Sequence, residues 1–463
     1  MQKRIGLAAT VVAAAALVLP AVASAAKPAG PEHVRAAFFT NWSRYARGYT
    51  VKQIPADKLN VIDYAFAFPS AAGTCILSDA WSDFQAPTWS GTDSVDGVAD
   101  DPLNPNQHLF GNFNQLRKLK AAHPGLRLEI SIGGWTGSTY FSDVAASAAS
   151  RQAFVQSCIA LFIRGNLPTG GWPEQAGGVG AAAGLFDGIN LDWEFPGVDP
   201  GNGAHYSPTD RVNATALLQE FRRQLDQVGR SAGKRYTLTN DIPGGNVNSA
   251  GSWQLHDVAQ IVDWIDLMSF DYHGGWEAWT DFNSPMLRDP SAPPVGGGAI
   301  EWTWSTAGSV LYFLANGVPA NKLVLGIPFY GKEYVGVAAT NHGLYQPHGP
   351  APGNDSPSYH DLVDTGLADA NLTPIGPTAA TGNGAGINGF TRYFSLRAAS
   401  PWLYNPALNG GTFISYVDPQ AVALRMALVD RLDLRGAWAW EISNDDNAND
   451  LVNAMTKEED DDD

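Results

Sequence analysis

Short β-rich apolar runs alternate with helix-periodic segments along most of the chain. The runs lie at 37–40, 61–66, 126–131, 188–193, 236–240, 265–270, 323–327 and 436–440. Between them, segments such as 216–225 set Leu217, Leu218, Phe221 and Leu225 at three- and four-residue spacing, the period of a helix with one apolar face. Asp418-Pro419 ahead of 420–432 reads as an N-cap with proline at the first helical position. Eight alternations of strand and helix predict the α/β class and a (β/α)8 TIM barrel. The interval between the seventh and eighth runs is too long for one helix. Residues 335–407 hold several Gly/Pro/Asn turns and short runs such as Gly389-Phe-Thr-Arg-Tyr393, which predict a small inserted α+β lobe. The barrel would then occupy 26–334 and return in 408–457 for its last strand and helix.

The fourth run breaks the apolar pattern in a regular way. In Asp187-Gly-Ile-Asn190-Leu-Asp192-Trp-Glu194-Phe195-Pro196, polar side chains alternate with apolar ones. Successive side chains of a strand point to opposite faces, so Asn190, Asp192 and Glu194 share one face while Ile189, Leu191 and Trp193 share the other. At about 3.3 Å of rise per residue, Asp192 and Glu194 sit roughly 6–7 Å apart, near enough for a charge on one to oppose ionisation of the other. A carboxyl kept protonated in this way suits general acid catalysis. Taken alone, such a strand also fits a structural or cation-binding role.

Barrel enzymes place their chemistry at the C-terminal strand ends, and the other conspicuous residues fall there. The third run leads into Ser131-Ile-Gly133-Gly134-Trp135, whose glycines let a neighbouring backbone approach and whose Ser131 can hydrogen-bond an acid on the fourth strand. The sixth leads into Met268-Ser-Phe270-Asp271-Tyr272-His-Gly-Gly-Trp276. Tyr330 and Lys332 follow the seventh, and Trp440 closes the eighth. Trp42 and Tyr45 follow the first. Most of the chain's 15 Trp and 15 Tyr have core work to do, but Trp42, Tyr45, Trp135, Trp276 and Trp440 share these strand ends. Flat rings there offer apolar faces for stacking without adding charge.

Composition narrows the alternatives. Lys3 and Arg4, an apolar stretch to about Val22 and the small-residue site Ala23-Ser24-Ala25 read as a secretory leader over 1–25. Its removal with these two cations takes the formal net charge from −17 to −19. The acidic end 458–463 reads as a solvated tail. So acidic a chain is a poor partner for nucleic acid, whose binding rests on phosphate neutralisation. No later run approaches the roughly 20 apolar residues a membrane span needs. Cys75 and Cys158 allow one bridge, which sequence spacing does not decide. The histidines are scattered, and 444–450 lacks the closing Gly and Glu of a calcium loop, so neither metal nor cofactor is expected.

The stretch 187–196 resembles the catalytic signature of glycoside hydrolase family 18, the chitinases. That signature carries Asp at its first, fourth and sixth positions and Glu at the eighth; here the fourth is Asn190. Ser131 to Trp135 is similar to the family's second signature, and an insertion before the last strand is a feature of its larger bacterial subfamily. The resemblance implies a secreted, monomeric chitinase acting on chitin and chitooligosaccharides by substrate-assisted, retaining catalysis. Glu194 would be the acid and base and Asp192 would orient the acetamido group, with Asn190 and Asp187 completing the catalytic motif. It further implies that Asp271 contacts the sugar, that Trp440 floors the site, and that Tyr330 and Lys332 stand for a Tyr-x-Arg pair. Phe270 replaces a tyrosine whose hydroxyl bonds the acetamido oxygen, and Tyr272 shares its strand parity. An endo-β-N-acetylglucosaminidase acting on glycoproteins and a chitin-binding lectin are the alternative readings.

Overall fold

The computed structural model describes residues 33–352, 355–368 and 373–457; the expected leader and acidic tail lie outside them. All eight predicted strands are present. They are β1 (Val34–Thr40), β2 (Val61–Pro69), β3 (Arg127–Gly133), β4 (Gly188–Asp192), β5 (Thr237–Pro243), β6 (Trp264–Met268), β7 (Leu323–Pro328) and β8 (Gly436–Trp440). Each pairs in parallel with the next in chain order, and β8 pairs back to β1, which closes the barrel. Strands buried on both faces read as near-continuous apolar runs, which is why they were visible in the sequence.

Helices pack around the outside. The longest, Asp210–Ala232, buries Ala214, Leu217, Leu218, Phe221 and Leu225 against the strands and ends at Gly233 in the left-handed region. Helix Pro419–Arg431 begins as the sequence predicts, with the Asp418 side chain accepting from the Ala421 N–H. None of the described helices is long and apolar enough to cross a membrane.

The barrel interior is divided. From β1, β2, β6, β7 and β8 come Val34, Ala36, Phe38, Val61, Ala65, Trp264, Met268, Val324 and Trp438, a continuous apolar cluster. From β3 to β6 come Glu129, Ser131, Asn190, Asp192, Thr239, Asp241 and Asp266, all buried. Register places Ser131 beside Asn190, Gly133 beside Asp192, and Asp241 beside Asp266. On the other side of Glu129, Asp63 of β2 is its register partner.

The insertion is built on a four-stranded antiparallel sheet in the order Thr391–Ser395, Ser400–Asn405, Thr412–Ser415, Lys332–Val335. It therefore reaches beyond both ends of the 335–407 span. The chain turns from β7 straight into the sheet at Lys332, and the strand ending at Ser415 pairs with that segment. The segment likened to a calcium loop is a helix cap: the Asp445 carboxylate accepts from the N–H groups of Asp446, Leu451 and Val452.

One short strand was not predicted. Cys75–Leu77 pairs antiparallel with the end of β2, and Cys75 bonds Cys158 across a Cα–Cα distance of 5.0 Å, closing a loop of 83 residues. By chain-entropy reasoning a loop of that length stabilises the fold by about 4–5 kcal/mol. Cys158→Ser is therefore expected to lower the urea midpoint in oxidising buffer to that of the reduced wild type. Equal midpoints for the variant and the oxidised wild type would show that the bridge contributes nothing.

Candidate active site

β4 ends at Asp192, and Glu194 follows two residues later at the barrel mouth. The Asp192 side chain is buried, and its Oδ1 has no hydrogen-bond partner. Burial raises its pKa to about 7. The Glu194 carboxyl is held well above the ordinary glutamate range by burial first, then by Asp192 and Asp271. Desolvation thus pushes both carboxyls up, and Asp192 adds to the rise at Glu194.

The β3–β4 contact that fixes them depends on glycine. Gly133 has φ +123°, and a Cβ there would stand 1.9 Å from the Asp192 carbonyl oxygen; Gly134, at φ +80°, would collide with the Phe66 ring. Gly134 N–H donates to that same carbonyl at 2.8 Å. Ser138, which sequence reasoning missed, accepts from the Glu194 N–H at 3.0 Å. Ser131 Oγ donates to Asn190 Oδ1 at 2.7 Å, so its partner is the amide and not an acid.

Aromatic rings line the same end. Trp440, half-buried, stacks on Phe66 at 5.7 Å between centroids, and Phe66 packs against Trp42. Trp42, Tyr45, Trp135 and Trp276 are exposed. The Tyr45 hydroxyl donates to Asp79 at 2.5 Å. Beyond Trp42, the exposed rings of Trp81, Trp172 and Trp89 adjoin one another. The sequence did not single them out, because they lie between strands where no periodicity marks them.

The opposite wall joins β6 and β7 to the lobe. Tyr330 Oη donates to Asp271 Oδ2 at 2.6 Å, and Lys332 Nζ lies 2.9 Å from Asp271 Oδ1. Lys332 also sits over the rings of Trp276 and Tyr330, each at 5.3 Å. Met268 ends β6 in the apolar cluster. Phe270 packs edge-on against Trp438 and Tyr330, presenting no hydroxyl.

Two expected site residues lie elsewhere. Asp187 precedes β4 at the N-terminal end of the barrel, roughly 20 Å from Glu194 at strand rise. Its carboxylate is held by Lys120 at 2.6 Å, by Lys234 at 2.5 Å and by the Leu128 N–H. Its role is to tie the base of the barrel, and these partners keep its pKa low despite burial. Tyr272 is buried, with its hydroxyl 2.6 Å from Ser309 Oγ and donating to the Ser305 carbonyl. Strand parity does not extend to it: β6 ends at Met268, and Asp271 takes φ +52°, turning the chain away.

The interior acids Asp63, Glu129, Asp241 and Asp266 were also missed, although each carried the signal that identified Asp192, an acid within or beside an apolar strand run. Burial raises the pKa of all of them. Such groups hold protons in the folded state that the unfolded chain releases above about pH 4. Their contribution to stability is complete below that pH and is lost as pH rises through about 7, the value for Glu129 and Asp192. The thermal midpoint by calorimetry is expected to be higher at pH 5 than at pH 8. A higher midpoint at pH 8 would mean that these carboxyls are ionised in the fold.

Comparison with known proteins agrees with this geometry. The sequence profile of glycosyl hydrolases family 18 matches residues 34–445. Chitinase A1 of Niallia circulans is 33% identical over 89% of this chain and 56% of its own length. Chitinase C of Streptomyces lividans is 31% identical over 90% and 58%. The chain thus spans somewhat more than half the length of these curated relatives. The catalytic domain of psychrophilic chitinase B from Arthrobacter TAD20 superposes with a TM-score of 0.79 at 31% identity, covering 92% of this chain and 94% of that one. With the profile spanning the whole barrel and the signature acid at the end of β4, the chain belongs to glycosyl hydrolases family 18.

Proposed function

We propose that the protein is a secreted chitinase that hydrolyses β-1,4 bonds between N-acetylglucosamine units. The observation that carries the reading is Glu194 at the mouth of a closed barrel, two residues beyond the buried Asp192 that ends β4, with burial and Asp192 both favouring its protonated form. In the substrate-assisted route, the N-acetyl carbonyl of the sugar before the scissile bond attacks C1 while Glu194 protonates the leaving oxygen. Asp192 orients the acetamido group and stabilises the positive charge of the oxazolinium ion, an electrostatic role strengthened by exclusion of water. Glu194, now a carboxylate, activates water to open the ring, and the anomeric configuration is retained.

Family membership, the chitinase names of the relatives and the aromatic mouth support the polymeric substrate. The lobe supplies one wall through Lys332, and an uncharged polymer suits exposed rings in an acidic protein. A leader-like N-terminus and a disulfide, a bond that persists in oxidising compartments, support export. Glycoprotein-directed action is the weaker reading, since the lobe and the series of exposed aromatics fit a long glycan chain better.

Chitin oligosaccharides incubated with the wild type should yield short products that are initially β-anomeric. Glu194→Gln is expected to lower kcat by at least about 100-fold, the loss typical of a missing general acid. Equal turnover by the two proteins, or α-anomeric products, would exclude this mechanism. Trp276, 62% exposed beside Lys332, tests the aromatic mouth. Trp276→Ala is expected to impair hydrolysis of crystalline chitin more than that of soluble oligomers; equal losses would remove its role in holding polymer.

A further inference from the structure

The N-terminal end of the barrel, away from Glu194, holds a cavity of about 470 Å³. Five cationic side chains line it: Arg127 at the start of β3, Lys234 and Arg235 before β5, Lys322 before β7 and Arg435 before β8. Only two carboxylates, Asp187 and Asp263, are set against them. In a chain whose formal net charge is −17, this is a local reversal of sign.

Both carboxylates are already committed. Asp187 pairs with Lys234 at 2.5 Å and with Lys120 at 2.6 Å. Asp263 pairs with Arg235 at 2.7 Å and with Arg222 at 3.3 Å. Each acid therefore serves two cations. Lys322 Nζ donates to the Ala259 and Val262 carbonyls, at the end of the helix Leu255–Ile261, so it is held by dipoles and not by a charge.

Arg127 and Arg435 are the cations left over. Their guanidiniums lie over the same ring, that of buried Trp264, at 5.4 and 5.9 Å from its centroid. Among the described residues neither guanidinium makes a hydrogen bond or an ion pair, and Arg435 Nε is buried without a partner. Burial and then Arg127 lower the pKa of Arg435, with Asp263 opposing them. The barrel interior does not supply the counter-charge. Arg127 acts on Asp63 and Glu129, but burial pushes both of these toward the protonated form. Two like charges are thus held together over one aromatic ring with no carboxylate between them.

We propose that this cavity is a binding site for a multivalent oxyanion, a phosphate or a small phosphorylated molecule, held chiefly by Arg127 and Arg435. A guanidinium presents paired N–H donors that match the oxygens of a phosphate, and one that no protein group holds can turn them toward a ligand. An anion there cancels the repulsion between the two arginines and links the starts of β3 and β8. A multivalent anion fits better than a single carboxylate, because the cavity lacks more than one negative charge. The site lies at the opposite end of the barrel from Asp192 and Glu194, and an uncharged glycan has nothing to offer it. The proposal therefore stands apart from the chitinase reading.

Inorganic phosphate and pyrophosphate are the probes, each compared with sodium chloride at equal ionic strength. Both are expected to raise the thermal midpoint of the wild type saturably above the chloride control, since a ligand bound only by the folded chain stabilises it. By isothermal titration calorimetry, Arg127→Gln and Arg435→Gln are each expected to bind pyrophosphate at least about tenfold more weakly, the loss of one charge-assisted contact. No saturable shift beyond chloride would mean that salt only screens these charges. Unchanged affinity in either variant would place the anion elsewhere. Both results would overturn the proposal. If the variants do not fold, 15N NMR of the wild type labelled at arginine decides. Saturable displacement of the Arg127 and Arg435 Nε–H signals by pyrophosphate supports the site, and signals that move no further than in chloride overturn it.

Discussion

A closed barrel that excludes water from five carboxyl groups is the constraint on which the rest of this molecule depends. Asp63, Glu129, Asp192, Asp241 and Asp266 are all buried in its interior, and burial opposes ionisation of each. Desolvation without a facing cation disfavours a carboxylate, so each of these groups is pushed toward its protonated form. The interior contains hydroxyl, indole and amide donors: Thr237 and Thr239 donate to Glu129, Trp264 to Asp266, and Asn190 to Asp241. This interior ends at the mouth in Asp192 and Glu194, where burial favours the protonated form at a pH that ionises ordinary carboxyls.

The rest of the fold keeps that interior shut and its mouth open to a substrate. The apolar half of the barrel seals the side of β1, β7 and β8 and carries Trp438 beneath the half-buried ring of Trp440. The glycines at the end of β3 let Asp192 approach closely enough for its carbonyl to be bound from there. The lobe is fastened to the barrel through Lys332 and Asp271, so the insertion shapes the cleft directly. At the other end, Asp187 shows the opposite electrostatic solution. There the carboxylate is ionised and paired with two lysines, which suits a structural tie.

Departures from the family pattern make sense in these terms. Phe270 gives up a hydroxyl and gains edge contacts to Trp438 and Tyr330, while Tyr330 commits its own hydroxyl to Asp271. Asn190 gives up a titrating group in a place already crowded with acids. A loss at one position is therefore read against what the adjoining strands contribute, which a motif written along one strand does not include.

The strands and the catalytic strand's chemistry were legible in the linear chain because both obey short periods. Apolar runs marked the eight strands, and period-two alternation put Asp192 and Glu194 on one face. Where a strand stopped was not legible, and parity carried past its end misplaced Tyr272, which Asp271 turns into the core. Motif membership likewise misplaced Asp187, since seven residues of extended chain separate it from the mouth. The pairing of Cys75 with Cys158, the extent of the lobe and the company of Asn190 depend on contacts between segments distant in sequence. The sequence by itself determined which residues could form strands and which face of β4 carried acids, because side-chain direction is local. Only the tertiary structure decided which acids meet, which are dry and which are paired with lysine, because desolvation and charge proximity arise from barrel closure and register.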